Sequence, residues 1–154
     1  MTEIKGFYTL KGYQLNETGG MTTSMQDYLE MICRLTDGES DVVRVRELAF
    51  ELHVKPSSVS KMVGNLREAG CVEYKKYGYI SMTDKGRKIG AYLLWRHRVL
   101  YDFLCMLNGT EDELEQVEKI EHFIDERTTA NLAVLTKRLR EEKDTGSDRP
   151  ETVV

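Results

Sequence analysis

Ionisable side chains able to ligate a divalent cation occur at three places in the sequence. Asp27 and Glu30 are spaced i and i+3, so on a helix both carboxylates project from one side. Glu118, Glu121 and His122 stand at i, i+3 and i+4 and would share one face of a later helix. His97 stands alone within Trp95-Arg96-His97-Arg98. Carboxylate and imidazole donors together suit divalent first-row metals. Each group also has a plainer account: a helix macrodipole explains Asp27, solvent exposure explains Glu30, an ordinary histidine explains His97, and an exposed acidic helix explains the third group.

The elements that must carry these residues follow from periodicity. Met25, Tyr28, Leu29, Ile32 and Leu35 recur at helical spacing. Thr23 and Gln26 form a capping box at the start, and Asp37-Gly38 marks the end. Val45, Leu48, Ala49 and Leu52 give Val42 to Leu52 one apolar face. A break at His53-Val54-Lys55 then leads to Pro56, well placed at the first position of a helix. That helix directs Val59, Met62, Val63 and Leu66 inward and ends at Gly70. Cys71–Tyr74 and Tyr79–Met82 read as two short strands around the basic tip Lys75-Lys76-Tyr77-Gly78. The first helix, a helix-turn-helix and a hairpin together make a winged helix.

Thr83 caps a long helix from Asp84 to about Asn108-Gly109, with Ile89, Leu93, Leu94, Leu100, Phe103 and Leu104 as apolar positions. Two further helices are expected, about Glu111 to Asp125 and Thr128 to Glu142. Leu114, Val117 and Ile124 on the first, and Leu132, Leu135 and Leu139 on the second, form stripes that a second subunit would cover. The fold class is therefore mainly α with a small β-hairpin, a winged helix-turn-helix followed by an α-helical dimerisation domain. The expected divisions are an extension over residues 1–20, a DNA-binding domain over 21–90, a metal-binding and dimerisation domain over 91–142 and a polar, frayed tail over 143–154.

Charge is distributed to match. The chain of 154 residues has a net charge of −4. Residues 44–98 hold 12 basic and 5 acidic groups, whereas residues 1–43 and 99–154 are net acidic. A basic middle suits a polyanion such as DNA, although a solvated face would look the same. If it is DNA, Pro56 opens the recognition helix. Lys55 precedes it, and Ser57, Ser58, Ser60 and Lys61 face the groove because their neighbours face the core. Lys75 and Lys76 on the wing would grip the backbone. Cys33, Cys71 and Cys105 are too widely spaced for a zinc clip or disulfide framework and read as small buried hydrophobes. With no signal peptide and no span of membrane length, a cytoplasmic location without membrane contact is expected.

Five segments in order resemble the DtxR/MntR family of metal-dependent repressors, closest to its manganese-responsive branch: Ser24-Met25-Gln26-Asp27-Tyr28-Leu29-Glu30, Lys55-Pro56-Ser57-Ser58-Val59-Ser60-Lys61-Met62-Val63, Thr83-Asp84-Lys85-Gly86-Arg87-Lys88-Ile89-Gly90, Arg96-His97-Arg98 and Glu118-Lys119-Ile120-Glu121-His122. The resemblance implies a homodimer that binds double-stranded operator DNA. It also implies Asp27, Glu30, His97, Glu118, Glu121 and His122 as metal ligands, with two ions per subunit and Glu30, Glu118 and Glu121 touching both. The iron-responsive branch has methionine where Asp27 stands and cysteine where Glu118 stands. Hard oxygen at both positions favours Mn²⁺, with Fe²⁺ second. The chain has no room for the SH3-like domain of longer members and carries 20 residues before the usual family start at Met21.

Two rivals compete with a metal-dependent repressor. A di-metal carboxylate enzyme would use Glu-x-x-His, and no glutamate lies three residues before His53, His97 or His122. A winged-helix regulator answering to a small molecule or to no ligand would leave the carboxylates as solubilising groups.

Overall fold

The computed structural model describes residues 20–146. The expected features of residues 1–19, and those of the tail beyond Gly146, lie outside the described residues. The chain divides into two compact units, one ending at Leu94 and the other beginning at Trp95.

In the first unit, α1 spans Thr23–Thr36. Its cap is Thr22, whose hydroxyl accepts from the Met25 backbone N–H at 3.2 Å. The expected cap, Thr23, is already the first helical residue, and Gln26 is buried instead of completing a capping box. The segment expected to begin at Val42 opens with a two-residue strand, β1 (Val43–Arg44), before α2 (Val45–Glu51). Two residues are too few to show alternation, so only pairing to a distant strand reveals β1. His53 makes the turn with φ +55°, and the Val54 N–H reaches back to the Ala49 carbonyl at 3.0 Å. Helix α3 (Pro56–Glu68) then starts with proline at its first turn, and Gly70 follows it at φ +76°.

The hairpin consists of β2 (Val72–Lys75) and β3 (Tyr79–Met82), joined by a 3₁₀ turn over Lys76–Gly78. Strand β3 lies in the middle of a three-stranded antiparallel sheet ordered β1-β3-β2, with Val43 opposite Ile80 and Val72 opposite Met82. One core gathers Leu29 and Ile32 of α1, Leu48 of α2, Val59, Val63 and Leu66 of α3, and Val72 and Ile80 of the sheet. Its burial fixes α3 with a single face outward. Cys71 is buried in this core, and burial pushes its thiol pKa up. Cys33 and Cys105 are only half-buried, short of the burial expected for them.

Helix α4 (Asp84–Asn108) begins tightly against the end of α3. The Thr83 N–H donates to the Cys71 carbonyl at 3.1 Å, and the Thr83 hydroxyl donates to the Gly70 carbonyl at 2.6 Å. Lys85 Nζ donates to the Ala69 carbonyl at 2.8 Å. The carbonyls of Ala69, Gly70 and Cys71, just beyond the end of α3, are thus taken up at the start of α4. A Cβ on Gly86 would lie 1.9 Å from the Cys71 carbonyl oxygen, so this approach demands glycine.

In the second unit, Leu100 and Leu104 of α4 pack with Val117 of α5 (Leu114–Ile120). The connecting loop is tied down by Tyr101, whose hydroxyl donates to the Glu111 carbonyl at 2.8 Å. Thr110 and Asn108 also donate to the Glu113 carboxylate, at 2.7 and 3.0 Å. Helix α5 is shorter than the expected Glu111–Asp125, because Glu121–Phe123 tighten into a 3₁₀ turn and Ile124 is extended. Asp125 then caps α6 (Glu126–Gly146), accepting from the Thr128 N–H at 2.7 Å, which holds its carboxyl below the usual range. The cap explains why α6 starts two residues before Thr128. Fraying expected from Lys143 is not seen through Gly146, where the helix continues.

Candidate metal centre and nucleic-acid interface

Within the second unit, α4 and the 3₁₀ turn bring His97, Glu121 and His122 together. His97 Nδ1 lies 2.7 Å from Glu121 Oε2, and His122 Nε2 lies 3.9 Å from Glu121 Oε1. Glu121 is 2% exposed and His122 8%. His97 is half-buried on α4, stacked on Tyr101 one turn further along with ring centroids 6.5 Å apart. A carboxylate this deeply buried requires positive charge or hydrogen-bond donors around it. The His97 ring nitrogen at 2.7 Å is placed to donate to it, and imidazoles beside a carboxylate are also a ligand set for a divalent cation. The donor chemistry therefore fits a metal of the oxygen- and nitrogen-seeking class.

Glu118 departs from the expected arrangement. It lies on α5 and is exposed, whereas Glu121 and His122 belong to the 3₁₀ turn and are buried. Helical spacing would put all three on one face, but the change from α to 3₁₀ winding after Ile120 alters the angle between them. In the first unit, Glu30 of α1 is buried and paired with Arg34 at 2.8 Å, so simple solvent exposure does not describe it. Asp27, one turn earlier, is exposed.

The first unit also presents a basic, exposed surface. Lys55, Ser57, Ser58, Ser60 and Lys61 are exposed along the start of α3, with Val59 buried among them and Val63 buried just beyond. Lys75 and Lys76 are exposed at the hairpin tip. Three further residues at this hairpin escaped sequence reasoning. Tyr77 projects from the turn, and Arg44 of β1 lies over the Tyr79 ring, 4.6 Å from its centroid, while donating a hydrogen bond to its hydroxyl. The only sequence signal for Tyr77 is its position before Gly78 at a tight turn.

Comparison with known proteins places this geometry. The family model described as iron-dependent repressor, N-terminal DNA-binding domain, matches residues 20–80. The companion model, metal-binding and dimerisation domain, matches residues 83–150. The chain belongs to the DtxR/MntR family of metal-dependent transcriptional repressors. It is 37% identical to the HTH-type transcriptional regulator MntR of Geobacillus kaustophilus, over 79% of this chain and 86% of that one. The MntR regulator of Bacillus subtilis is likewise 37% identical, over 79% and 85%. A solved manganese-dependent transcriptional repressor in complex with manganese superimposes with a TM-score of 0.67 at 29% identity, covering 73% of this chain. The chain spans 52% of the length of that structure. As a DtxR/MntR-family repressor it carries a DNA-binding domain, a dimerisation domain and a divalent-metal site. Among its described residues no helix is long and apolar enough to cross a membrane.

Proposed function

We propose that this protein is a manganese-responsive repressor of metal-uptake genes, acting in the cytoplasm as a homodimer on double-stranded operator DNA. The observation that carries the reading is the buried Glu121 carboxylate, with His97 at 2.7 Å and the buried His122 at 3.9 Å. The proposed ligand set is Asp27, Glu30, His97, Glu118, Glu121 and His122, with residues 21–90 as the DNA-binding domain and 91–142 as the metal and dimer domain.

A bound divalent cation, with two ions per subunit proposed, would supply the positive charge that offsets the repulsion among these four carboxylates. Asp27 and Glu30 contribute from the DNA-binding domain, and His97, Glu118, Glu121 and His122 from the other. Satisfying both halves of the set together restrains the winged helices of the dimer. A dimer reading two half-sites must present its recognition helices about 34 Å apart or a multiple of that. Only a ligand that binds this arrangement better than others raises its population. The protein thus acts by binding and not by catalysis.

The second unit supports a homodimer by what it leaves uncovered. Leu107, Leu114, Val134, Leu135 and Leu139 are exposed, and Val134 is 56% exposed. Such a concentration of apolar side chains on a small unit is what a self-complementary interface covers.

Manganese is preferred over iron, despite the family model's iron-dependent description, because Asp27 and Glu118 are oxygen donors. Softer ions would favour thioether or thiolate at these positions. Operator binding titrated separately with Mn²⁺, Fe²⁺, Co²⁺ and Zn²⁺ tests the choice. Activation by Mn²⁺ at micromolar free metal is expected, and DNA affinity indifferent to every metal would return the protein to the class of metal-independent winged-helix regulators.

At the DNA, Lys61 holds a phosphate while the serines of α3 lie against base edges or phosphates. Lys61→Ala is expected to weaken binding on all sequences and to make the salt dependence shallower by about one unit of slope. Anisotropy titrations at several salt concentrations read this directly, and an unchanged slope removes Lys61 from the phosphate contacts.

A further inference from the structure

The hairpin tip carries a side chain that folding does not require. Tyr77 sits in the 3₁₀ turn with φ +67° and is 90% exposed. Gly78 follows at φ +75°, so the turn needs two successive left-handed residues, for which Asn-Gly or Gly-Gly are least strained. A tyrosine at the first position bears an unfavourable backbone conformation and contributes nothing to the core. Strain of this kind, together with a large aromatic ring in water, marks a place where a contact outside the fold is made.

The surroundings indicate what it contacts. Lys75 and Lys76 are exposed immediately before it. Behind the tip, Lys75 pairs with Tyr79, and Arg44 pairs with Tyr79 from the other side. The Arg44 guanidinium stacks on the Tyr79 ring and donates to its hydroxyl. The hairpin is closed and braced directly below the turn, so it presents Tyr77 on a stiff support flanked by cations. That combination suits a polyanion with a narrow apolar cleft. The minor groove of DNA is about 6 Å wide, has sugar walls, and offers only base acceptors at A·T pairs, whereas guanine adds an amino group.

We propose that Tyr77 enters the minor groove beside each half-site, its ring between the sugar walls and its hydroxyl donating to a base acceptor. Lys75 and Lys76 hold the bordering phosphates. This inference rests on the DNA-binding reading above and adds a preference for A·T flanks that α3 does not supply. Wedges from apolar side chains and amide or guanidinium readers are the general means by which proteins use this groove.

The test uses the full-length chain with Mn²⁺ and a duplex selected from random sequence by the wild-type protein, prepared with A·T or G·C flanks. Tyr77→Asn suits the turn, because asparagine tolerates left-handed backbone, and Tyr77→Phe removes only the hydroxyl. Wild type is expected to bind the A·T-flanked duplex about tenfold more tightly than Tyr77→Asn. The flank preference should vanish in that variant and shrink in Tyr77→Phe, with thermal melting unchanged. Equal affinity of wild type and Tyr77→Asn for both duplexes would overturn the inference while leaving the repressor reading in place. Failure of wild type to select any duplex would overturn both.

Discussion

His122→Ala is expected to lower metal-activated operator binding by an order of magnitude or more, leaving metal-free protein folded. The imidazole is buried in the 3₁₀ turn beside Glu121, so in the proposed ligand set its loss removes a nitrogen donor next to the buried carboxylate. Even groups that only orient a ligand are worth about 10- to 100-fold in metal affinity. Glu121 retains His97 at 2.7 Å, so its charge stays partnered and the second unit should survive the change. Equilibrium dialysis with metal analysis, alongside a gel-shift titration in Mn²⁺, separates lost metal from lost DNA contact. A variant that binds metal and operator as wild type does would remove His122 from the ligand set.

Gly86→Ala is expected to cost about 3 kcal/mol or more, at the upper end of overpacking because both clashing partners are backbone. The new methyl would stand 1.9 Å from the Cys71 carbonyl oxygen, which also accepts from the Thr83 N–H. Making room means pulling the start of α4 away from the end of α3, breaking the carbonyl contacts of Thr83 and Lys85 as well. Gly64→Ala is the matching control. Nothing lies within 4 Å of its Cβ position in the exposed face of α3, so alanine should stabilise by roughly 0.5–1 kcal/mol through helix propensity. Urea unfolding of the three proteins reads both effects. Coincident midpoints for Gly86→Ala and wild type would mean that α4 is not held as closely as this packing requires.

The same two regions show where reading residues in order succeeds and where it stops. The 3.6-residue spacing of Leu29 and Ile32, or of Val59, Val63 and Leu66, reflects burial of one helix face, so α1 and α3 were legible without coordinates. Pro56, Gly70 and the Lys75–Gly78 tip were legible because turn and terminus chemistry is local. Strand β1 was not, since two residues carry no period and their partner Ile80 is far along the chain. Nor was the Thr22 cap, because which of two adjacent threonines starts α1 depends on backbone dihedrals that both could adopt.

The carboxylate and imidazole chemistry of the six proposed ligands, the basic middle segment, and the order of winged helix and helical domain can all be read from the residues in order. Those properties reside in side-chain chemistry and local periodicity, which need no partner element to be read. Only tertiary structure decided that Glu121 and His122 turn inward while Glu118 stays in solvent, because α5 gives way to a 3₁₀ turn before the Asp125 cap. It also decided that His97 meets Glu121 across 24 residues, and that Arg44 braces Tyr79 behind the exposed Tyr77. Contacts between residues far apart in sequence depend on how helices and strands pack, and packing is a property of the folded chain.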